Sequence, residues 1–136
     1  MASAEAVQRE QDMEQCIQEC LSCHRVCLET LTYCLQKGGK HAEAKHVRLL
    51  MDCVHICQTS ADFMLRGSDL HTRTCFACAE VCAACAESCE KMGEDARMKA
   101  CAEACRRCAE SCRGMSGGIM QGVNPEAAQR AATLPA

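Results

Sequence analysis

Sixteen of the 136 residues are cysteine, and they recur at fixed steps. They form four groups: Cys16, Cys20, Cys23, Cys27 and Cys34; Cys53 and Cys57; Cys75, Cys78, Cys82, Cys85 and Cys89; and Cys101, Cys105, Cys108 and Cys112. Steps of three, four and seven residues keep side chains on one face of a helix. The pair C-x-x-x-C occurs seven times, at Cys16/Cys20, Cys23/Cys27, Cys53/Cys57, Cys78/Cys82, Cys85/Cys89, Cys101/Cys105 and Cys108/Cys112, leaving Cys34 and Cys75 for bridging. Residues four apart on a helix have Cβ atoms ~5–6 Å apart. A disulfide needs about 3.5–4.5 Å, so bridges within a helix are strained out. Two thiolates on one near-linear metal stand about 4.5 Å apart if each bond is near the ~2.3 Å of a zinc thiolate. Small rotamer changes reach that separation. Each pair therefore reads as a two-coordinate clip for a soft metal ion.

Charge selects the metal. Sixteen buried thiolates carry a formal −16, which an apolar core cannot hold uncompensated. One monovalent ion per thiolate brings the sum to zero, whereas a divalent ion among four thiolates leaves −2 per site. Soft thiolates select Cu(I), zinc or iron–sulfur clusters. Zinc ribbons place C-x-x-C knuckles on loops, and ferredoxin runs use other spacings. Cu(I), many ions per chain, is the expected cargo. The alternative is a zinc or mixed soft-metal buffer of metallothionein kind. A thiol redox enzyme would need one exposed low-pKa cysteine and a resolving partner, and no residue is singled out for that role. Catalytic residues and an organic cofactor are not expected.

These residues need helices to position them. Large aliphatic and phenyl side chains are scarce: Leu, Ile, Val and Phe together number 20, against 21 Ala, 16 Cys and 8 Met. Cysteine must therefore fill much of the interior. Gly38–Gly39, Gly67 and Gly93 punctuate runs of good helix formers. Helices are expected over roughly 4–37, 41–66, 69–91 and 94–115, with Ser68 as N-cap of the third. Short connections make neighbouring helices antiparallel. The expected fold is all-α: an antiparallel up-down-up-down four-helix bundle with a Cys-lined core over residues 1–115. Residues 116–136 form a tail, loop or partly ordered, with a short turn near Glu126 to Ala132.

Several classes fall away. No run of about 18 apolar residues exists, so no membrane span is expected. The first residues lack a basic segment followed by an apolar one, so no secretory signal is expected. The net charge is −3 and there is no Lys/Arg block, which argues against nucleic acid as a partner. A reducing cytosol, where structural disulfides are rare, suits this many thiols.

The tandem C-x-x-x-C pairs on four Cys-lined helices resemble the cytosolic branch of the bacterial copper storage proteins. The likeness covers about residues 10–115. It implies a cytoplasmic Cu(I) store, with the cysteines named above as ligands and no catalytic residue to carry over. It also implies a homo-oligomer, a tetramer of bundles. The metal's donor or acceptor protein stays unnamed. This chain departs from the pattern between Cys27 and Cys34, where Thr30 and Leu31 hold the seam, and on the second helix, which has only two cysteines.

The seams extend past the cysteines at helical spacing. Met13, Met64, His71 and Met115 should gather at one end of the bundle as further ligands and a point of copper entry. Cys34, His46, Met92 and Met98 should gather at the other, where the role of His46 is left open. His24, His41 and His55 lie off the seam and read as surface or interface. Leu28 and Leu35, beside the Cys stripe of the first helix, either close the bundle or face another subunit.

Overall fold

The structure, a computed structural model, describes residues 3–117. Four helices follow one another: α1 (Ala4–Lys37), α2 (Ala44–Leu65), α3 (His71–Glu90) and α4 (Ala96–Met115), with a 3-10 turn at Gly39–Ala42 between the first two. α1 packs on α2 and α4, and α3 packs on the same two, which makes an antiparallel four-helix bundle. The expected tail beyond Gly117 lies outside the described residues.

The ends of the helices follow from local chemistry. Ser3 caps α1, its Oγ accepting from the Ala6 amide at 3.0 Å. α1 stops where Gly38 takes φ 73°. Gly38 and Gly39 both turn left-handed, and the 3-10 turn uses up residues 39–42, so α2 starts three residues later than its composition suggests.

α2 closes with Gly67 at φ 69°, the Gly67 amide donating to Met64 O at 3.1 Å and the Ser68 amide to Phe63 O at 3.0 Å. This is the Schellman pattern. It corrects the expectation for Ser68. The Ser68 Oγ accepts from the Leu70 amide at 3.1 Å inside the turn, so it does not cap α3, which begins at His71 without a side-chain cap. Asp95 caps α4, accepting from the Arg97 and Met98 amides at 3.0 and 3.2 Å.

All 16 cysteines are buried. Of the large aliphatics among the described residues, only Ile17, Leu50 and Val54 join them in the interior, while Ala61, Ala79, Ala86, Ala102 and Ala109 are buried where helices meet. The sulfurs thus take the place that leucine has in an ordinary bundle.

Two histidines read as surface are ties within the chain. The His24 Nδ1–H donates to Val54 O at 2.8 Å, joining α1 to α2. His41 lies 2.9 Å from the Asp95 carboxylate, joining the 3-10 turn to the start of α4. His55 is exposed, as expected.

Candidate metal centre

The antiparallel register brings the thiols of different helices together. Between α1 and α4, Cys16 lies 3.6 Å from Cys112, Cys20 lies 3.7 Å from Cys108, and Cys27 lies 3.8 Å from Cys101. Between α2 and α3, Cys57–Cys78 is 3.8 Å and Cys53–Cys82 is 3.6 Å. The two pairs of helices also join: Cys23 reaches Cys53 at 3.7 Å, and Cys57 reaches Cys108 at 3.8 Å. The result is a continuous file of sulfur along the bundle axis.

Three of the seven clips have their own sulfurs in contact: Cys23/Cys27 at 3.8 Å, Cys53/Cys57 at 3.9 Å and Cys78/Cys82 at 3.7 Å. Others are bridged from a neighbouring helix. Cys20 touches both Cys108 and Cys112, and Cys27 touches both Cys101 and Cys105. These separations are shorter than the about 4.6 Å that two metal–sulfur bonds of about 2.3 Å span when linear. With its protons on, the core draws its thiols into van der Waals contact. A two-coordinate ion would push each pair apart by somewhat under ~1 Å.

Quartets within mutual reach of one ion also occur. They are Cys20/Cys78/Cys108/Cys112, Cys23/Cys53/Cys57/Cys82, Cys23/Cys27/Cys53/Cys105 and Cys57/Cys78/Cys82/Cys108, with a trio Cys16/Cys75/Cys112. The shared members rule out separate, closed four-thiolate sites at all of them at once.

Proton affinity differs from thiol to thiol in the file. Hydrogen bonding with Cys105 holds Cys23 and Cys53 down, and hydrogen bonding with Cys108 holds Cys78 down. Cys105 is pushed up by Cys101, and Cys57 and Cys112 by Cys108, with burial adding to each. Hydrogen bonding, first to Cys101, also raises Cys85 and Cys89. Protons are shared between neighbours.

Met13, Met64, His71 and Met115 stand at one end of the file, as the register requires. Met64 is buried and its Sδ accepts from Cys75 Sγ at 3.8 Å. Cys75, also 3.3 Å from Ser60 Oγ, is held down to about 3, first by Cys112 and then by Cys16. Met13 and Met115 pack half-buried against the core. The His71 Nδ1–H donates to Ser68 O at 2.8 Å, which leaves Nε2 with a free lone pair.

At the opposite end Cys34, His46 and Met98 come together, as their spacing leads one to expect. Cys34 Sγ lies 3.5 Å from His46 Nε2 and 3.6 Å from Met98 Sδ. His46 and Met98 are as buried as the cysteines, at 3% and 0% exposed. His46 Nδ1 lies 2.7 Å from Ser88 Oγ on α3. Burial lowers the His46 pKa and raises the Cys34 thiol to about 11.

A clasp closes this end. The Tyr33 hydroxyl donates to Asp95 Oδ2 at 2.7 Å, His41 meets the same oxygen, and the Lys40 ammonium donates to Lys91 O at 2.9 Å. The Asp95 signal was present in the sequence, as an acidic residue just before a helical run. Ser88 carried none, because its role depends on which residue of α2 faces it.

Four helices that fill their common interior with thiols define a class: bundles that hold soft metal ions in quantity. The comparisons with known proteins agree. This chain belongs to the copper storage protein family, whose model matches residues 9–117. Among solved structures it is similar to the Nmul_A1745 protein from Nitrosospira multiformis, with 48% identity and TM-score 0.75, covering 79% of this chain and 96% of that one. It is also similar to the Cu(I)-bound copper storage protein BsCsp3 of Bacillus subtilis, with 34% identity and TM-score 0.73, covering 78% and 99%. A third is a cytosolic copper storage protein from Streptomyces lividans holding five coppers, with 30% identity and TM-score 0.68, covering 84% and 96%.

Proposed function

We propose that this protein stores Cu(I) in bulk inside its bundle, in the cytosol, as the relatives described as cytosolic and copper-loaded do. The observation that carries the reading is the continuous file of buried sulfur contributed by all four helices. Thiolates neutralise monovalent copper one for one, so the filled core carries no net charge. All 16 cysteines serve as ligands, and Met13, Met64, His71 and Met115 add donors at one end. Residues 1–115 act as one bundle domain.

An array in which no cysteine is exposed to attack a substrate supports storage rather than catalysis. Each ion that enters displaces thiol protons into solution. Leu28, Leu35 and Met51 stand 46%, 56% and 45% exposed on α1 and α2, and this apolar face supports assembly into a homotetramer.

Anaerobic titration of the reduced protein with Cu(I), in competition with a Cu(I) chelator, tests the reading. Saturation at about 16 ions per chain is expected, with any excess coming from Met and His donors. Saturation at four or fewer overturns it in favour of divalent, four-thiolate sites.

A further inference from the structure

We propose that Cys34, His46 and Met98 form a discrete three-donor site for a single Cu(I), set apart in chemistry from the thiolate file, with Ser88 as the residue that positions its imidazole. The proposal rests on the storage reading above for the identity of the ion. It rests on geometry for everything else.

Cys34 is the hub of the cluster, 3.5 Å from the imidazole nitrogen and 3.6 Å from the thioether sulfur. A trigonal ion with bonds of about 2.3 Å to sulfur and about 2.0 Å to imidazole, as for zinc, holds sulfur and nitrogen about 3.7 Å apart and two sulfurs about 4.0 Å apart. Cys34 already stands within a few tenths of an ångström of those separations from each of its two partners. The clips of the file must open further to accept a linear ion.

The donor set also selects the charge of the ion. One thiolate, one neutral imidazole and one thioether carry −1 together. A monovalent ion makes the site neutral, with the single thiol proton of Cys34 released as the ion enters. A divalent ion would leave a net positive charge among side chains that are 0–3% exposed, which is strongly unfavourable. Imidazole and thioether both suit soft, monovalent copper.

Ser88 completes the arrangement from α3. When its Oγ accepts the His46 Nδ1–H across 2.7 Å, the Nε2 lone pair is left facing Cys34. Partners of this kind fix the tautomer and ring orientation of ligating histidines. The site therefore draws on all four helices: Cys34 from α1, His46 from α2, Ser88 from α3 and Met98 from α4.

The test is nuclear magnetic resonance on the reduced, full-length, isotope-labelled protein, titrated anaerobically with Cu(I) supplied as its acetonitrile complex. The His46 imidazole nitrogens and the Met98 methyl are followed to saturation, while a chelator assay counts total copper. The expected result is a joint shift of His46 Nε2 and the Met98 methyl in one step, with Nδ1 still protonated. His46→Ala should lower the saturating count by one ion. Ser88→Ala should weaken copper at this site alone by about 10–100-fold, with Ser88→Thr restoring it.

If copper fills the file while His46 and Met98 keep their metal-free signals to saturation, the site proposal is overturned and storage stands. If Ser88→Ala leaves the His46 tautomer and affinity unchanged, the positioning role is overturned. A total of four or fewer ions would instead overturn the storage reading beneath both. The wild-type titration gives its answer even if a variant fails to fold.

Discussion

The two ends of the bundle use similar donors and close them off differently. Around Met13, Met115 and His71 the donors are half-buried and no side-chain clasp crosses the described residues between the α2–α3 turn and the helix ends facing it. Around Cys34, His46 and Met98 the donors are sealed, and Tyr33, His41, Lys40 and Asp95 tie the α1–α2 connection to the α3–α4 connection. Between them runs the file of thiols, which is alike along most of its length. The difference separates three tasks that one chain must perform. On the storage reading, capacity is expected of the middle, access of the loose end and closure of the clasped end.

The largest expected effect tests the middle. Replacing Cys53, Cys57, Cys82 and Cys105 together by Ser should remove about four of about 16 ions, measured by chelator competition, because these thiols join α2, α3 and α4, and Cys23 of α1 reaches Cys53 and Cys105. Capacity that fell by no more than one ion would show that the file is not the store.

The next tests access. Changing Met13, Met64 and Met115 to Leu should slow loading several-fold in stopped-flow measurements and leave final capacity unchanged. Leu keeps most of the volume, so packing should shift by less than ~1.5 kcal/mol. Met92→Leu, at the clasped end, should leave the rate alone. The reverse pattern would move the mouth to the clasped end.

Closure is the subject of a smaller effect. Asp95→Ala removes the α4 cap and the contacts of Asp95 with Tyr33 and His41, and should lower the melting temperature of the reduced protein by a few degrees. Removing His71, whose only described tie is local, should lower it less.

The smallest effect is in pH. Hydrogen bonding, first from Tyr33, holds the Asp95 carboxyl at about 2, below the 3.8 of a free aspartate. Its contribution is therefore complete above about pH 4 and is lost as pH falls through 2. Thermal melts should decline across that window, and Asp95→Asn should decline less than the wild type. Equal slopes would show that the clasp carries no charge-dependent stability.

Much of this was legible in the sequence because the helix period is rigid. A cysteine every three or four residues can face only one direction, so the seam, the four helices and the burial of the thiols were fixed by spacing. The charge of many thiolates in an apolar interior pointed to a monovalent soft ion. Helix ends were less legible. Ser68 is a good capping residue by type, but its hydroxyl closes the preceding turn, a choice made by Gly67 and the Schellman contacts around it.

What the sequence by itself determined is which residues line the axis, since that depends on periodicity within one helix. What only the tertiary structure decided is which donors from different helices share an ion. The register of α2 against α3 sets His46 opposite Ser88, and that of α1 against α4 sets Cys34 beside Met98. Such pairings depend on turn lengths and on the packing of whole helices. A shift of one helical turn would leave every seam intact and bring together different partners.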